Sequence, residues 1–402
     1  MAEVEPVNVQ KKAAFVASVY RHFELFHVPV MEMLQRAGYE VHAFAEDDYA
    51  KVRLQERGIV CHDIPIARSP LRWQNVRAAR ALIGHFKREQ FELVHVHTPV
   101  ASIIGRIAGK FAKTPAVLYT AHGFHFFQGA PLPFWLLYYP VERLMAPWTD
   151  VLITINREDY ERASSRLPAR QSIKYVPGVG VDVERFQPEI TQAGRERLRA
   201  ELQIAPEEHV VLCIAELNDN KNQIQLIEAV HRVTERGLRV RCLLVGVGEQ
   251  DTILLQRAKD LGLQDQVQLL GYRLDVPELI ALSDVCTLLS KREGLPRFLL
   301  EAMASGRPIL ATNIRGSRDL VQDGETGRLV PIGDVEATAD ALYDLLTQPE
   351  RLAEMGREIR ERVQPYRTEN VVQQIEDIYA EALRVAYKGQ ASKRFGRGGL
   401  PS

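Results

Sequence analysis

Short β-rich runs alternate with helical stretches along nearly the whole chain, and the alternation is interrupted once, at residues 174–188, before it starts again. In the first half KAAFVASVY, YEVHAFA, GIVCHDIPI, FELVHVHT, AVLYTAH and DVLITIN are separated by stretches of helical spacing, the first of them a helix over about 24–37. Strand, helix and strand in succession imply parallel pairing through crossover helices. The interruption, KYVPGVGVDVERFQP, concentrates Gly and Pro between periodic segments and reads as a linker. Beyond it HVVLCIAEL, RVRCLLVGVG, QVQLLG and DVCTLLS resume the pattern. The expectation is an α/β protein of two doubly wound domains, residues 1–185 and 186–365, facing a central cleft at the carboxyl ends of both sheets, where open α/β folds bind ligands. A last helix, 366–388, is expected to pack back on the N-terminal domain, and the Gly-rich basic stretch 389–402 reads as a disordered tail.

With 402 residues and 46% hydrophobic content, the chain has enough apolar material for two cores of ordinary size. Its formal charge of −1, from 51 basic and 52 acidic residues, supplies no field that would draw it to nucleic acid, so any anion site must be local. Cys61, Cys213, Cys242 and Cys286 are widely spaced and form no C-x-x-C pair, as expected of free thiols in a reducing cytoplasm. The N-terminal stretch is acidic and lacks the apolar core of a secretory signal, and no apolar run approaches the ~20 residues that span a bilayer.

The most informative motif is KREGLPRFLLEAM, residues 291–303, in which Glu293 and Glu301 stand eight positions apart across a Gly-Leu-Pro turn that opens a helix. Pro296 suits the first helical position, and Gly294 removes a side chain that would keep a ligand off the backbone. Unpaired N–H groups at Gly294 and Leu295 and the positive end of the helix dipole favour a phosphate, while the two carboxylates can accept hydrogen bonds from sugar hydroxyls. A phosphate flanked by two diol readers describes a nucleotide sugar. The bland alternative is an amphipathic helix with Leu299, Leu300 and Met303 in the core and its acids in water.

Other candidates follow strands in the same way. AELNDNKNQ, residues 215–223, puts Lys221 within reach of a diphosphate, with Asn220 or Asn222 as helix cap, although alone it reads first as a solvated lysine. LLVGVGEQ carries Gly246 and Gly248 but lacks the third glycine of a dinucleotide fingerprint, so a tight turn approaching a ligand and plain turn chemistry both stand. Tyr272 and Arg273 follow another strand, where the aromatic or the adjacent backbone would receive a uracil-like ring; an ordinary loop aromatic fits equally. In LYTAHGFHFF, His122 ends a strand beside Gly123, well placed to hydrogen-bond a reacting sugar or phosphate. The pairs His122 with His125 and His95 with His97 have ligand spacing, yet no carboxylate or cysteine completes either set nearby, so no metal is expected. His95 and His97 alternate with valines and stand on one strand face.

Residues 124–148, FHFFQGAPLPFWLLYYPVERLMAPW, are densely aromatic and broken by prolines. They are too interrupted to span a membrane; Trp, Tyr and Phe together suit the bilayer interface or a lipid-linked acceptor, and a core helix under the cleft fits as well. Lys388, Lys393, Arg394 and Arg397 near the C-terminus would add attraction to anionic lipid, or simply be solvated.

With KREGLPRFLLEAM, AELNDNKNQ, VGVGEQ, LYTAHGFHFF and GSRDLVQDGETGRLVPIGD in this order, nearly the whole chain resembles a retaining glycosyltransferase of family 4 with the GT-B fold of two Rossmann-like domains, closest to the capsule and exopolysaccharide branch. The resemblance implies Glu293 at the donor sugar, Glu301 at the ribose diol, Lys221 on the diphosphate and His122 near the reacting carbon. It implies a UDP-sugar donor, a polyprenyl-diphosphate-linked saccharide acceptor, retention at the anomeric carbon, no cofactor and no metal, and a cytoplasmic enzyme touching the inner membrane face peripherally. Two departures stand out. Glu216 occupies the place where many relatives carry a phosphate-binding arginine, which leaves Arg292 or Arg297 as substitutes, and SVYRHFELFH replaces the paired glycines after the first strand, with Arg21, His22 and His27 as replacement acceptor contacts. A sugar-nucleotide epimerase of the same architecture and a non-catalytic scaffold are the competing readings.

Overall fold

The computed structural model describes residues 10–67, 69, 72–187 and 190–395, with side chains to Lys388. The chain divides into two compact units, one running to Val179 and resumed from Glu369, the other Gly180–Thr368.

The first unit holds seven parallel strands: β1 (Lys12–Val19), β2 (Glu40–Glu46), β3 (Val60–Asp63), β4 (Leu93–Val96), β5 (Ala116–Ala121), β6 (Val151–Thr154) and β7 (Ser172–Tyr175). Their order is β3-β2-β1-β4-β5-β6-β7. The central strands read as unbroken apolar runs because helices cover both faces, and every residue of β4 and β5 is buried. The sheet order reverses between β1 and β4, so the loops that leave these neighbours diverge and open a crevice at their carboxyl ends.

Helix Thr368–Phe395 lays Val371, Ile375, Ile378, Tyr379 and Ala382 into the same core as Phe15, Leu118 and Ile153. It continues past residue 388, so residues 389–395, including Lys393 and Arg394, extend the helix and are not the disordered tail expected from their composition; Arg397 lies outside the described residues. At the other end of the unit, the helix expected over 24–37 is two helices, Tyr20–Phe26 and Val28–Arg36, joined at His27 where Pro29 opens the second.

The second unit has six parallel strands: β8 (His209–Ile214), β9 (Val240–Val245), β10 (Val267–Leu269), β11 (Val285–Leu288), β12 (Ile309–Thr312) and β13 (Gly327–Val330). Their order, β10-β9-β8-β11-β12-β13, again reverses once, between β8 and β11. Cys213, Cys242 and Cys286 are buried in this core as free thiols, and burial pushes each thiol up.

Candidate functional site

In the second unit the loops that follow β8 and β11 are laced together. Lys291 N–H donates to the Asn220 carbonyl at 2.7 Å, Asn220 Nδ2 to the Arg292 carbonyl at 3.0 Å, and Asn222 Nδ2 to the Leu289 carbonyl at 3.3 Å. Asn222 takes the N-cap position of helix Gln223–Glu235 in the left-handed region, φ 55°, which asparagine tolerates better than most residues; its side chain serves the neighbouring loop rather than the helix N–H groups. This lacing brings Lys221 Nζ to 2.5 Å from Glu293 Oε1. The lysine read as a diphosphate ligand and the glutamate read as a sugar ligand therefore meet at the point where strand order reverses.

Glu293 is held from behind. Arg315, only 4% exposed, donates from Nε to the Glu293 carbonyl at 3.0 Å. The next residue, Gly316, lies at φ +78°, and a Cβ there would come to 2.3 Å from the Gly294 carbonyl oxygen. The Arg315–Gly316 turn thus clamps the backbone that carries Glu293 and Gly294. Sequence reasoning passed over Arg315.

Pro296 occupies the N-cap with ψ 118°, so helix Arg297–Ala304 begins one residue later than its proline suggested, because a proline at that ψ is extended rather than helical. Gly294 and Leu295 lie in the loop just before it. Glu301, one turn in and largely buried, receives Arg297 Nε at 2.9 Å. Burial raises the Glu301 carboxyl above its ordinary value of 4.5, with Arg297 partly opposing. Arg297, read as a possible phosphate cation, is thus paired with the Glu301 carboxylate, as Lys221 is with Glu293. Among the described residues the Arg292 guanidinium makes no ion pair, and it stands next to Glu293, whereas Glu216 is exposed with only its carbonyl engaged, by Gln223 Nε2 at 3.0 Å.

Two further assignments change. A Cβ on Gly246 would sit 2.0 Å from the Ala215 carbonyl oxygen, and one on Gly248 2.1 Å from that of Leu217. These glycines admit the neighbouring loop's backbone, with Leu217 N–H donating to the Val247 carbonyl at 3.1 Å, instead of approaching a ligand themselves. Arg273 is committed to Asp275 through two hydrogen bonds, 2.8 and 2.6 Å, and to Glu201 at 2.9 Å, so its side chain anchors the loop and leaves Tyr272, 77% exposed, as the group open to a ring.

In the first unit the helix pair after β1 and the loops after β4 and β5 bring His22, His27, His97 and His122 together, with one ring nitrogen of each within 4.8 Å of the others. His27 and His97 stack at 3.8 Å between centroids. His22 and His122 keep a partly exposed edge while His27 and His97 are buried. Burial lowers all four imidazoles, His122 to about 4, so at neutral pH the His122 ring is neutral. His95 shares the strand face of His97 but is a satisfied core residue, with Nδ1 at 2.6 Å from the Tyr379 hydroxyl and Nε2 at 2.7 Å from Thr120 Oγ1. His125 lies outside the cluster and stacks on Tyr138 at 4.2 Å. Between His97 and Pro99, Thr98 is held at φ 57°, a conformation that costs a β-branched residue on the order of 1–3 kcal/mol, and Ser18 Oγ meets its hydroxyl at 2.9 Å.

Beside this cluster a cavity of about 470 Å³ is lined by Ser18, His22, Thr98, His125, Tyr138 and Glu142, among others. Helix Leu132–Met145 forms one wall. It buries only Glu142 and Met145, while Leu132, Leu136, Leu137 and Leu144 are exposed, so it is not the core helix that was one of its two readings. No helix of the described residues is long and apolar enough to cross a membrane.

Residues 30–185 match the model of the family described as Glycosyltransferase Family 4, and residues 194–362 that of Glycosyl transferases group 1. The putative glycosyltransferase EpsD of Bacillus subtilis (strain 168) is 38% identical over 372 residues, 92% of this chain and 96% of its own. This chain belongs to the family 4 glycosyltransferases. Another relative, the UDP-Gal:alpha-D-GlcNAc-diphosphoundecaprenol alpha-1,3-galactosyltransferase of Escherichia coli, is 29% identical, covering 77% of this chain and 80% of that one. The fold of the glycosyltransferase is GT-B: the structure of Anabaena Alr3699/HepE in complex with UDP and glucose superposes with a TM-score of 0.78 over 92% of this chain and all of that chain, at 20% identity.

Proposed function

We propose that this glycosyltransferase moves a hexose or N-acetylhexosamine from a UDP-sugar to a polyprenyl-diphosphate-linked saccharide in the synthesis of a cell-surface polysaccharide, with retention at the anomeric carbon. The observation that carries the reading is the Lys221–Glu293 pair at the β8/β11 reversal, with the largely buried Glu301 one turn into the helix that follows. Breaking the anomeric C–O bond places negative charge on the departing diphosphate, and Lys221, Arg292 and the backbone at Gly294 and Leu295 are the groups that would stabilise it. A diphosphate arriving at Lys221 would release Glu293 to accept hydrogen bonds from the sugar. This scheme assigns charge neutralisation to side chains and needs no metal at the diphosphate. The E. coli relative, whose name specifies a UDP-sugar donor and a diphosphoundecaprenol acceptor, supports the choice of donor and acceptor class. Exposed Leu132, Leu136 and Leu144 support peripheral contact with the cytoplasmic membrane face, where such an acceptor lies.

Calorimetric titration of the purified protein with UDP, GDP, ADP and NAD without added metal tests the donor class. UDP alone should bind tightly, and Glu301→Ala should weaken it by about 1.5–3 kcal/mol, or roughly ten- to hundredfold, through loss of hydrogen bonds to a charged acceptor. Unchanged affinity would remove Glu301 from the ribose. The pH dependence has a definite sign. Diol hydroxyls donate to the ionised carboxylate, so binding favours ionisation, and because the free Glu301 carboxyl titrates above its ordinary value, UDP affinity should start to fall at higher pH on acidification than for an ordinary carboxylate.

On the acceptor side, His122→Ala should lower kcat by ~10²–10⁴-fold, the usual range for a positioned proton-transfer or hydrogen-bonding group, while leaving UDP affinity intact. Normal turnover would exclude His122 from the chemistry. Proton NMR of the first-formed product decides between retention and inversion.

A further inference from the structure

We propose that His22, His27, His97 and His122 form a binding site for one divalent transition-metal ion of the zinc class. From sequence, each histidine pair lacked a completing carboxylate or cysteine; the fold completes the set with imidazoles instead, drawing on the helix pair after β1 and the loops after β4 and β5. Two of the nitrogen pairs, His27 Nε2 with His22 Nε2 at 3.3 Å and His122 Nε2 with His97 Nδ1 at 3.4 Å, already lie at the separation of about 3.4 Å that neighbouring ligands take around a tetrahedral ion with bonds of ~2.0–2.1 Å. The four donor atoms lie within 4.8 Å of one another, and closing on a common centre requires the stacked His27 and His97 rings to turn apart.

One ring nitrogen of the set is left without a partner. His97 is fully buried, and its Nε2 has no hydrogen-bond partner among the described residues. This Nε2 is not the nitrogen that faces His122, which is Nδ1, so it lies on the other side of the ring from the pairing above and is not itself evidence for the ion. His95, two residues earlier on the same strand, has both ring nitrogens satisfied, so the shortage is particular to the cluster.

Ligand chemistry selects the metal class. Imidazole nitrogen suits Zn²⁺, Co²⁺, Ni²⁺ and Cu²⁺, whereas Mg²⁺, Ca²⁺ and Mn²⁺ favour oxygen ligands, which this set does not offer. The exposed edges of His22 and His122 supply an entry path. Coordination through one ring nitrogen would leave the other as N–H, fixing the tautomer that His122 presents and tying the segments after β1, β4 and β5 to one another. The site is distinct from the diphosphate site at Lys221 and does not depend on the donor assignment.

The test uses the full-length, tag-free protein stripped with EDTA and titrated with Co²⁺, then Zn²⁺. The expected result is one equivalent of Co²⁺ with the intense visible absorption of a four-coordinate nitrogen site, displaced by Zn²⁺ and untouched by excess Mg²⁺. His27→Gln and His22→Gln should each weaken Co²⁺ binding at least tenfold, with UDP affinity of the other unit as the control. If His27→Gln fails to fold, His22→Gln, at the exposed edge, decides. Absence of the absorption band, equal binding by the wild type and His22→Gln, or binding of inorganic phosphate in place of the metal would overturn the proposal.

Discussion

Replacing Lys221 with alanine is expected to lower kcat by ~10²–10³-fold, the loss seen when one preorganised group that stabilises developing charge is removed from an active site. Lys221 is the ammonium that the fold holds in the loop after β8, and its present partner, Glu293 at 2.5 Å, belongs to the loop after the adjacent strand. The diphosphate gains charge as the glycosidic bond breaks, so the interaction strengthens toward the transition state and its loss should appear in kcat more than in KM. Lys221→Arg should recover only part of the rate, because a planar guanidinium presents its donors in a different geometry from a compact ammonium. The alternative, that the pair is merely structural, makes a different prediction. Partly exposed ion pairs contribute roughly 0–1 kcal/mol, so a structural role would leave the rate intact and move stability only slightly. Steady-state kinetics with UDP-sugar and a lipid-linked acceptor, together with a thermal melt, separate the two; an unchanged kcat would sink the diphosphate assignment.

The largest stability effect is expected at Arg106. Its guanidinium, 1% exposed, donates from Nη1 to Glu142 Oε2 at 2.9 Å, from Nε to the Ser102 carbonyl at 3.1 Å and from Nη2 to Ser102 Oγ at 3.1 Å, and lies over the Tyr119 ring at 4.4 Å. Tyr119 in turn donates its hydroxyl to Glu142 Oε1 at 3.3 Å, and burial together with the Glu142 charge raises the phenol well above its ordinary range. Arg106→Met leaves the largely buried Glu142 carboxylate without its cation. Removing one partner of such a pair costs about 3–5 kcal/mol, whereas replacing both by apolar residues of similar volume is often neutral. Arg106→Met/Glu142→Met should therefore regain most of the loss. The three tryptophans, Trp73, Trp135 and Trp148, all lie in the first unit, so fluorescence-detected denaturation reports on that unit alone. A loss below 1 kcal/mol for Arg106→Met would refute this account. The pair also holds the aromatic helix Leu132–Met145 against helix Pro99–Ala112, so the apolar face at Leu132 and Leu136 depends on it for its placement.

Several site residues were legible from local sequence because their positions are set by neighbours a few residues away. Glu293, Gly294 and Glu301 follow a strand and open a helix, and Lys221 sits in a loop whose helix start is visible in its own asparagines. The failures share one physical cause, a partner supplied by a different loop. Arg273 looked available until Glu201, 72 residues away, and Asp275 took its donors. Gly246 and Gly248 looked like ligand-approach glycines, yet only the pairing of β9 with β8 shows that the backbone they admit is that of Ala215 and Leu217. Arg315 was unmarked because its target is the carbonyl of Glu293, which no composition or spacing encodes.

The alternation of apolar strand runs with amphipathic helices determined, by itself, the fold class and the number of domains. Buried parallel strands must be apolar throughout, and each crossover must carry a helix, so the pattern is written residue by residue along the chain. Which loops become neighbours was decided by tertiary structure. β1 pairs with β4 as well as with its successor β2, and β8 with β11 as well as with β9, and those two choices bring His22 and His27 to His97 and Lys221 to Glu293. Sheet order reflects long-range packing of whole faces and not the residues that finally meet, which is why the separate members of both constellations stood in the sequence while their convergence did not.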